Sequence, residues 1–288
     1  MTTAYWLTQL LNALQYSMLL FVLSVGLTVV FGLMNFVNLA HGTFYALGAF
    51  VGWSLLRITG SFWAALVGAP LVVAAIAALL YLVMIARMQR AGHLAQVLAT
   101  LGLVFVGVEV MRMIWGDFAL EFSAPPALAG SVSLFGLVYP AYRLFVIALG
   151  LVALVLLWLL LERTALGAMI RAAVDNAAMA SALGVRVDRL FFAMFCFGCA
   201  LAALAGVVAA PIFSVYPGMG IEILIPTLIV VVVGGLGSLR GAVAGSLLVG
   251  FVDTFGQVLL PQLSGIVVYA LLALTLLLRP QGLFPARA

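Results

Sequence analysis

An all-helical (all-α), polytopic integral membrane protein is the fold class this sequence predicts, and three observations predict it. First, 67% of its 288 residues are hydrophobic and only 7% are charged, against about 25% charged in an ordinary soluble domain. Mean hydropathy is +1.35, so the chain has too few charges to cover a water-facing surface. Second, its apolar residues gather into nine runs, at about 8–31, 41–56, 62–86, 94–115, 140–161, 190–211, 222–236, 241–260 and 264–279. A spanning helix needs about 20 residues, and six of the nine runs come close to that length or exceed it. Third, two of the three short runs adjoin glycine-rich interruptions, one in each half of the chain. The expectation is a single domain over 1–288, with about eight to ten transmembrane segments and two broken helices in pseudo-repeated halves.

Along the chain, MTTAYWLTQLLNALQ carries no Lys or Arg before its first apolar run and no A-x-A-like site. It is expected to stay in the mature protein. All twelve basic residues are Arg, and the net charge is +4. Strict alternation of nine segments places Arg87, Arg90, Arg163, Arg171, Arg186, Arg189, Arg240, Arg279 and Arg287 on one side, and Arg57, Arg112 and Arg143 on the other. The arginine-rich side is expected to be cytoplasmic, with the N-terminus outside and the C-terminus inside. That placement reads the positive charge as loop charge and leaves nucleic acid without a case.

GLMNFVNLAHGTF (32–44) interrupts the first apolar stretch. Backbone freed from helical hydrogen bonds survives in a membrane only where it is buried in protein or lines a water-filled cavity. Asn35, Asn38 and His41 either satisfy such freed groups or bind a polar solute. Asn38 could also cap a helix starting near Leu39. A helix N-terminus facing a cavity there would favour an anionic group. Further on, 116–139 contains Pro125 and Pro126 with several Gly and Ser. It reads as an extracytoplasmic loop with a short strand pair.

The inner loop ERTALGAMIRAAVDNAAMASALGVRVDRL (162–190) is too polar to span and too regular for a linker. Ala-rich composition predicts a helix over 165–183, with Thr164 as N-cap and Gly184 at the C′ stop. Leu166, Met169, Ile170 and Ala173 share one face, while Arg171 and Asp175 form an i, i+4 pair. Two readings stand: a passive interfacial helix, or a docking element for a soluble partner.

The second interruption, VVVVGGLGSLRGAVAGSLLVG (230–250), repeats the layout of the first. Gly234, Gly235, Gly237 and Gly241 allow close packing, and Ser238 can cap the following helix. Paired Gly-interrupted segments in two halves are the sequence pointer to a transporter's central site. Candidate pathway residues are therefore Gly32, Asn35, Asn38, His41, Gly42, Gly234, Gly235, Gly237 and Ser238. Glu109 and Arg112 (i, i+3) can neutralise each other, Glu222 is expected at the outer boundary, and Asp253 lies inside a span without an obvious partner.

Cys196 and Cys199 stand i, i+3 in an apolar run, with two distant His residues; small packing residues are the reading, and no metal site is expected. No H-E-x-x-H, Walker A or G-x-S-x-G stretch occurs, so no catalytic residue and no bound cofactor is expected. An intramembrane enzyme therefore has no support. A stand-alone channel or ion-coupled transporter would call for ion-coupling residues that the sequence does not offer.

Four stretches resemble the permeases of ABC importers for branched-chain amino acids, on the LivH-like side of the pair. They are GLTVVFGLMNFVNLAHGTFYALGAFVG, RTALGAMIRAAVDNAAMASALGVRVDRL, GGLGSLRGAVAGSLLVG and LLLRPQGLF. The resemblance implies a bacterial inner-membrane permease that is itself non-catalytic and works by alternating access. Its implied partners are a second, LivM-like permease, two cytoplasmic subunits that bind the ATP, and a periplasmic solute-binding protein. It implies that 165–183 is the coupling helix, with Leu166, Gly167, Ile170, Arg171, Asp175, Ala178 and Gly184 as ATPase-coupling residues. The family also handles urea, amides and small organic acids. After Gly42 this chain has Thr43, where an acidic residue is common in relatives.

Overall fold

The computed structural model describes residues 3–34, 36, 38–88, 92–134 and 137–284. Its helices are α1 (Thr3–Met34), α2 (His41–Thr59), α3 (Phe62–Met88), α4 (His93–Trp115), α5 (Ala141–Arg163), α6 (Ala165–Asp175), α7 (Ala177–Ala182), α8 (Val187–Phe213), α9 (Met219–Gly234), α10 (Leu239–Leu259) and α11 (Ser264–Leu278). Seven helices among the described residues are long and apolar enough to cross a membrane. The shorter α9 is apolar as well, and α2 is a 19-residue helix. The fold is an all-α, polytopic membrane bundle.

Two helices form the middle of the bundle. α1 and α8 are buried along most of their length, whereas α5 and α11 present most of theirs outward. Glycines set this arrangement. A Cβ added at Gly26 would stand 2.7 Å from the Gly198 carbonyl oxygen, and one at Gly52 would stand 2.8 Å from a Val207 methyl. Lipid offers no hydrophobic drive between helices, so backbones that approach this closely gain mainly dispersion contacts. Small residues recur every fourth position at Gly198, Ala202 and Gly206 on α8, and at Gly48 and Gly52 on α2. Gly198 meets α1 at Gly26, while Gly48 meets Ala203 and Gly206 meets Tyr45 where α2 lies on α8.

The bundle has two distinguishable ends. At one, a hairpin of β1 (Ser131–Leu134) and β2 (Leu137–Pro140) pairs Val132 with Tyr139. Tyr139 donates to Asn12 Oδ1 at 3.0 Å and Arg143 donates to the same oxygen at 2.6 Å, which pins the hairpin to the start of α1. Burial pushes the Tyr139 phenol up, against the pull of Arg143, so it remains a neutral donor. At the other end lie α6 and α7. The strand pair within 116–139 is thus present. The single helix over 165–183 is instead two, because Asn176 leaves the helical region and its side chain accepts from Met179 N at 2.9 Å, capping α7.

Candidate functional site: two half-helices meeting inside the bundle

α1 crosses from the hairpin end to the α6–α7 end, and the chain then turns back into the bundle. His41, the first residue of α2, places Nε2 2.9 Å from the carbonyl oxygen of Leu23. Leu23 is eleven residues before the end of α1, so α2 begins about 16 Å back from that end. From there α2 continues to the hairpin end.

α8 and α9 do the same with opposite sense. α8 rises to the hairpin end, where Val215 pairs with Leu120 through bonds of 2.8 and 3.0 Å. The chain then descends and restarts as α9 beside the start of α2. Gly42 and Gly220 face each other so closely that a Cβ on either would collide with the other's carbonyl oxygen. α9 then returns to the α6–α7 end. Two half-helices thus meet N-terminus to N-terminus in the bundle interior, and their dipoles present positive ends there.

The counterpart of the 32–44 interruption is therefore 214–218, not 234–241. Ser214 has φ +62°, the only positive value at a non-glycine residue among those described, and Pro217–Gly218 follow it. By contrast, 235–238 is a compact turn from α9 into α10, with Gly235 at φ +107° and Gly237 at +76°. Ser238 accepts from Gly241 N at 3.1 Å and caps α10 as expected. Gly234 faces Gly241 too closely for side chains, and a Cβ at Gly32 would stand 2.6 Å from Gly237 Cα. Gly32, Gly234, Gly235, Gly237 and Ser238 thus cluster where α1 ends, away from His41 and Gly42. One cluster in the sequence becomes two in space.

At the half-helix junction Asn38 and His41 are fully buried. Among the described residues, both polar atoms of the Asn38 amide, and His41 Nδ1, have no hydrogen-bond partner. Ala40, not Asn38, occupies the N-cap position of α2, and no side chain caps it. The Asn38 carbonyl accepts from His41 N at 3.2 Å. An unpaired buried polar group costs about 1–3 kcal/mol, so three such atoms single out this junction. Asn35 lies outside the described residues. Thr43 packs its methyl on Gly107 of α4.

Membrane-depth carboxylates differ from expectation in two places. Glu222 lies one turn into α9, close to the half-helix junction and not at the outer boundary, and accepts from the Tyr216 hydroxyl. Asp253 has a partner after all, since Gln257 Nε2 donates to it at 2.8 Å. Both carboxylates open on a cavity of about 330 Å³ between α1, α9, α10 and α11, with Tyr16 and Tyr269. Arg112 pairs with Glu109 at 2.7 Å and additionally with Asp117 at 2.8 Å.

At the other end, Thr164 accepts from Gly167 N at 3.2 Å and caps α6. Gly184, at φ +92°, closes α7: its N–H reaches Ser181 O and Val185 N reaches Ala180 O, each at 3.0 Å. Gly167, Ile170 and Ala173 face the bundle, and Gly167 has no room for a Cβ beside the Leu161 carbonyl. Leu166, Arg171, Asp175, Ala178 and Gly184 are exposed. Leu166 thus departs from the face assigned to it: in the first turn of this helix Gly167, not Leu166, faces the bundle. Arg171 turns from Asp175 to Glu162, at 3.8 Å, and to the Leu161 carbonyl. Between α6 and the bundle lies an open cleft of about 660 Å³.

Sequence reasoning missed Gly26 and Gly198, which bring α1 onto α8, and Gly220, which meets Gly42 where the half-helices join. Their signal was the four-residue spacing of small residues and the S-V-Y-P-G turn at 214–218.

Residues 9–276 match the family described as branched-chain amino acid transport system / permease component. The high-affinity branched-chain amino acid transport system permease protein BraD of Pseudomonas aeruginosa is 28% identical, over 97% of this chain and 95% of that protein. The corresponding LivH of Salmonella typhimurium is 26% identical over the same shares. A probable branched-chain amino acid transport permease protein LivH of Methanocaldococcus jannaschii is 28% identical over 94% of this chain and 90% of its own. In fold alone, the chain is similar to one in PsaBC from Streptococcus pneumoniae in complex with Fab. There the TM-score is 0.50 and identity 15%, over 94% of this chain and 90% of that one. A membrane bundle with re-entrant half-helices, matched over nearly its whole length, belongs to the permease components of branched-chain amino acid transport systems.

Proposed function

We propose that the chain is the LivH-like permease subunit of an ATP-driven importer that moves branched-chain or related amino acids across the bacterial inner membrane by alternating access. One observation carries this reading: α2 and α9 meet as half-helices in the bundle interior, beside buried polar atoms of Asn38 and His41 that have no partner among the described residues. Interrupted helices at mid-depth are where transporters place their solute path, and positive helix ends suit a substrate carboxylate.

The energy comes from elsewhere. Two cytoplasmic subunits bind and hydrolyse ATP, a LivM-like permease completes the pathway, and a periplasmic binding protein delivers solute. The exposed side of α6–α7, with Leu166, Arg171, Asp175, Ala178 and Gly184, docks an ATPase, while Gly167 and Ile170 seat the helix on the bundle. Among the described residues, Arg87, Arg163, Arg171, Arg186, Arg189, Arg240 and Arg279 belong to the α6–α7 end. By the positive-inside rule that end is cytoplasmic, and the start of α1 is periplasmic.

Reconstitution tests the reading. The chain alone in proteoliposomes is expected to hydrolyse no ATP and to take up no leucine. With both permeases, both ATPases and leucine-loaded binding protein, ATP-dependent uptake is expected. Uptake by the chain alone would make it a stand-alone transporter. Uptake of urea, an amide or an organic acid in place of leucine would keep the machinery and change the solute.

A further inference from the structure

The C-terminal LLLRPQGLF has no role in the pathway or in ATPase docking as described so far, yet the structure ties it to both. α11 ends as Arg279 N bonds Thr275 O at 2.7 Å, and Arg279–Gly282 then make a tight turn closed by Gly282 N to Arg279 O at 2.9 Å. Pro280 and Gly282 hold the second and fourth places that such a turn favours. Gly282 has φ +81°, and a Cβ there would stand 2.6 Å from Gly235 Cα and 2.8 Å from Val232 O. Only glycine fits.

The turn aims the next two residues at the end of half-helix α9. Leu283 N donates to Val233 O and Phe284 N donates to Gly234 O, each at 2.9 Å. A helix leaves its last carbonyls without intrahelical partners, and here two of them are taken by a segment from the far end of the chain. Leu283 also packs on the cluster of Ile229, Val230 and Val233. On their other side Leu283 and Phe284 form a wall of the 660 Å³ cleft, which Ile170 and Val174 of α6 also line.

We infer that 279–284 is a positioning strap for transport, with Gly282 and Leu283 as its positioning residues. It holds the inner end of α9 in register with the cleft beneath α6, so that movement of α6 is delivered to the half-helix at the pathway. The open cleft gives α6 room to move, and the strap's backbone bonds make its far wall continuous with α9. The inference rests on the ATP-driven reading above.

The test uses the complete importer in proteoliposomes with leucine as the probe. Leu283→Pro removes the N–H given to Val233 O, and Gly282→Ala strains the turn. The assembled variants are expected to keep basal ATP hydrolysis while leucine moved per ATP falls about tenfold, the scale of ordinary inter-site coupling. Leu283→Met, which keeps the N–H and the packing, is expected to restore it. Equal falls in hydrolysis and uptake, or unchanged stoichiometry in an assembled variant, would overturn the strap. Should both variants fail to assemble, hydrogen exchange on the wild-type importer decides. Amides 231–235 and 282–284 are expected to change protection together between nucleotide-free and ATP-bound states, and independent behaviour refutes the coupling. If wild type moves no leucine although the exchange signals remain linked, the solute assignment fails and the strap stands.

Discussion

Gly42 shows how much one missing methyl can decide. Its α-carbon hydrogens face the Gly220 carbonyl with no space for a Cβ, so Gly42→Ala must push two half-helices apart. Overpacking of this kind costs about 1–3 kcal/mol, and thermal unfolding in detergent should read it as a clear fall in Tm. Gly102, in α4, has nothing within 4 Å of a built Cβ. Gly102→Ala should therefore leave Tm level or raise it, since mid-helix glycine costs about 0.5–1 kcal/mol relative to alanine. Asn38 behaves differently because both polar atoms of its buried amide lack partners among the described residues. Asn38→Ala removes an unpaid desolvation, so Tm should hold or rise. Leucine uptake by the assembled importer should drop about tenfold, the worth of one hydrogen bond. A loss of stability in step with uptake would assign Asn38 to the scaffold instead. Residue identities near 38–42 made the site visible in the sequence; that Gly220 stands opposite was not visible, because nothing local records a contact across 178 positions.

Among elements, the α6–α7 segment was the most legible. Thr164 and Gly184 are short-range signals, each acting on backbone within three or four residues, and both work as capping rules require. The break at Asn176 was hidden because alanines surround it and helix propensity averages over a window. Thr164→Ala and Asn176→Ala should each cost about 1 kcal/mol locally. Hydrogen exchange should resolve the two: the first should speed amides at the start of α6, the second those at the start of α7. Exchange that rises uniformly over 165–182 after either change would mean that one continuous helix forms there. The second interruption was misplaced for a related reason. Four glycines at 234–241 give a stronger textual signal than Ser214 to Gly218, yet a turn between two antiparallel helices also needs glycine. Only the depth of α9 beside α2 separates a turn from a re-entry, and depth is a property of packing.

For the whole molecule, orientation follows from charge placement and from the direction of every helix together. α1, α3, α5 and α11 run toward the α6–α7 end, and α4, α8 and α10 run away from it. The half-helices do not disturb this alternation, because each completes the crossing that its predecessor's return segment began. That is why nine apolar runs read strictly in turn still assign the arginines to sides consistently, although two of the nine are half-helices. A thiol-labelling experiment checks the assignment. With Cys196 and Cys199 replaced by alanine, single cysteines are introduced at Val132 in the hairpin and at Ala178 in α7, both exposed positions. In intact spheroplasts a membrane-impermeant maleimide should label Val132→Cys and spare Ala178→Cys. After permeabilisation both should react. Labelling of Ala178→Cys in intact spheroplasts, with Val132→Cys spared until permeabilisation, would reverse the membrane sides and rule out docking of a cytoplasmic ATPase on α7. Arginine excess would then have failed as the determinant of topology, and the periplasmic binding protein would have to meet the end that carries α6. Arg90 and Arg287 lie outside the described residues; seven of the ten described arginines lie on the proposed inner side, and moving each positive charge through hydrocarbon costs several kcal/mol. Labelling of the hairpin alone from outside is the outcome that this imbalance requires.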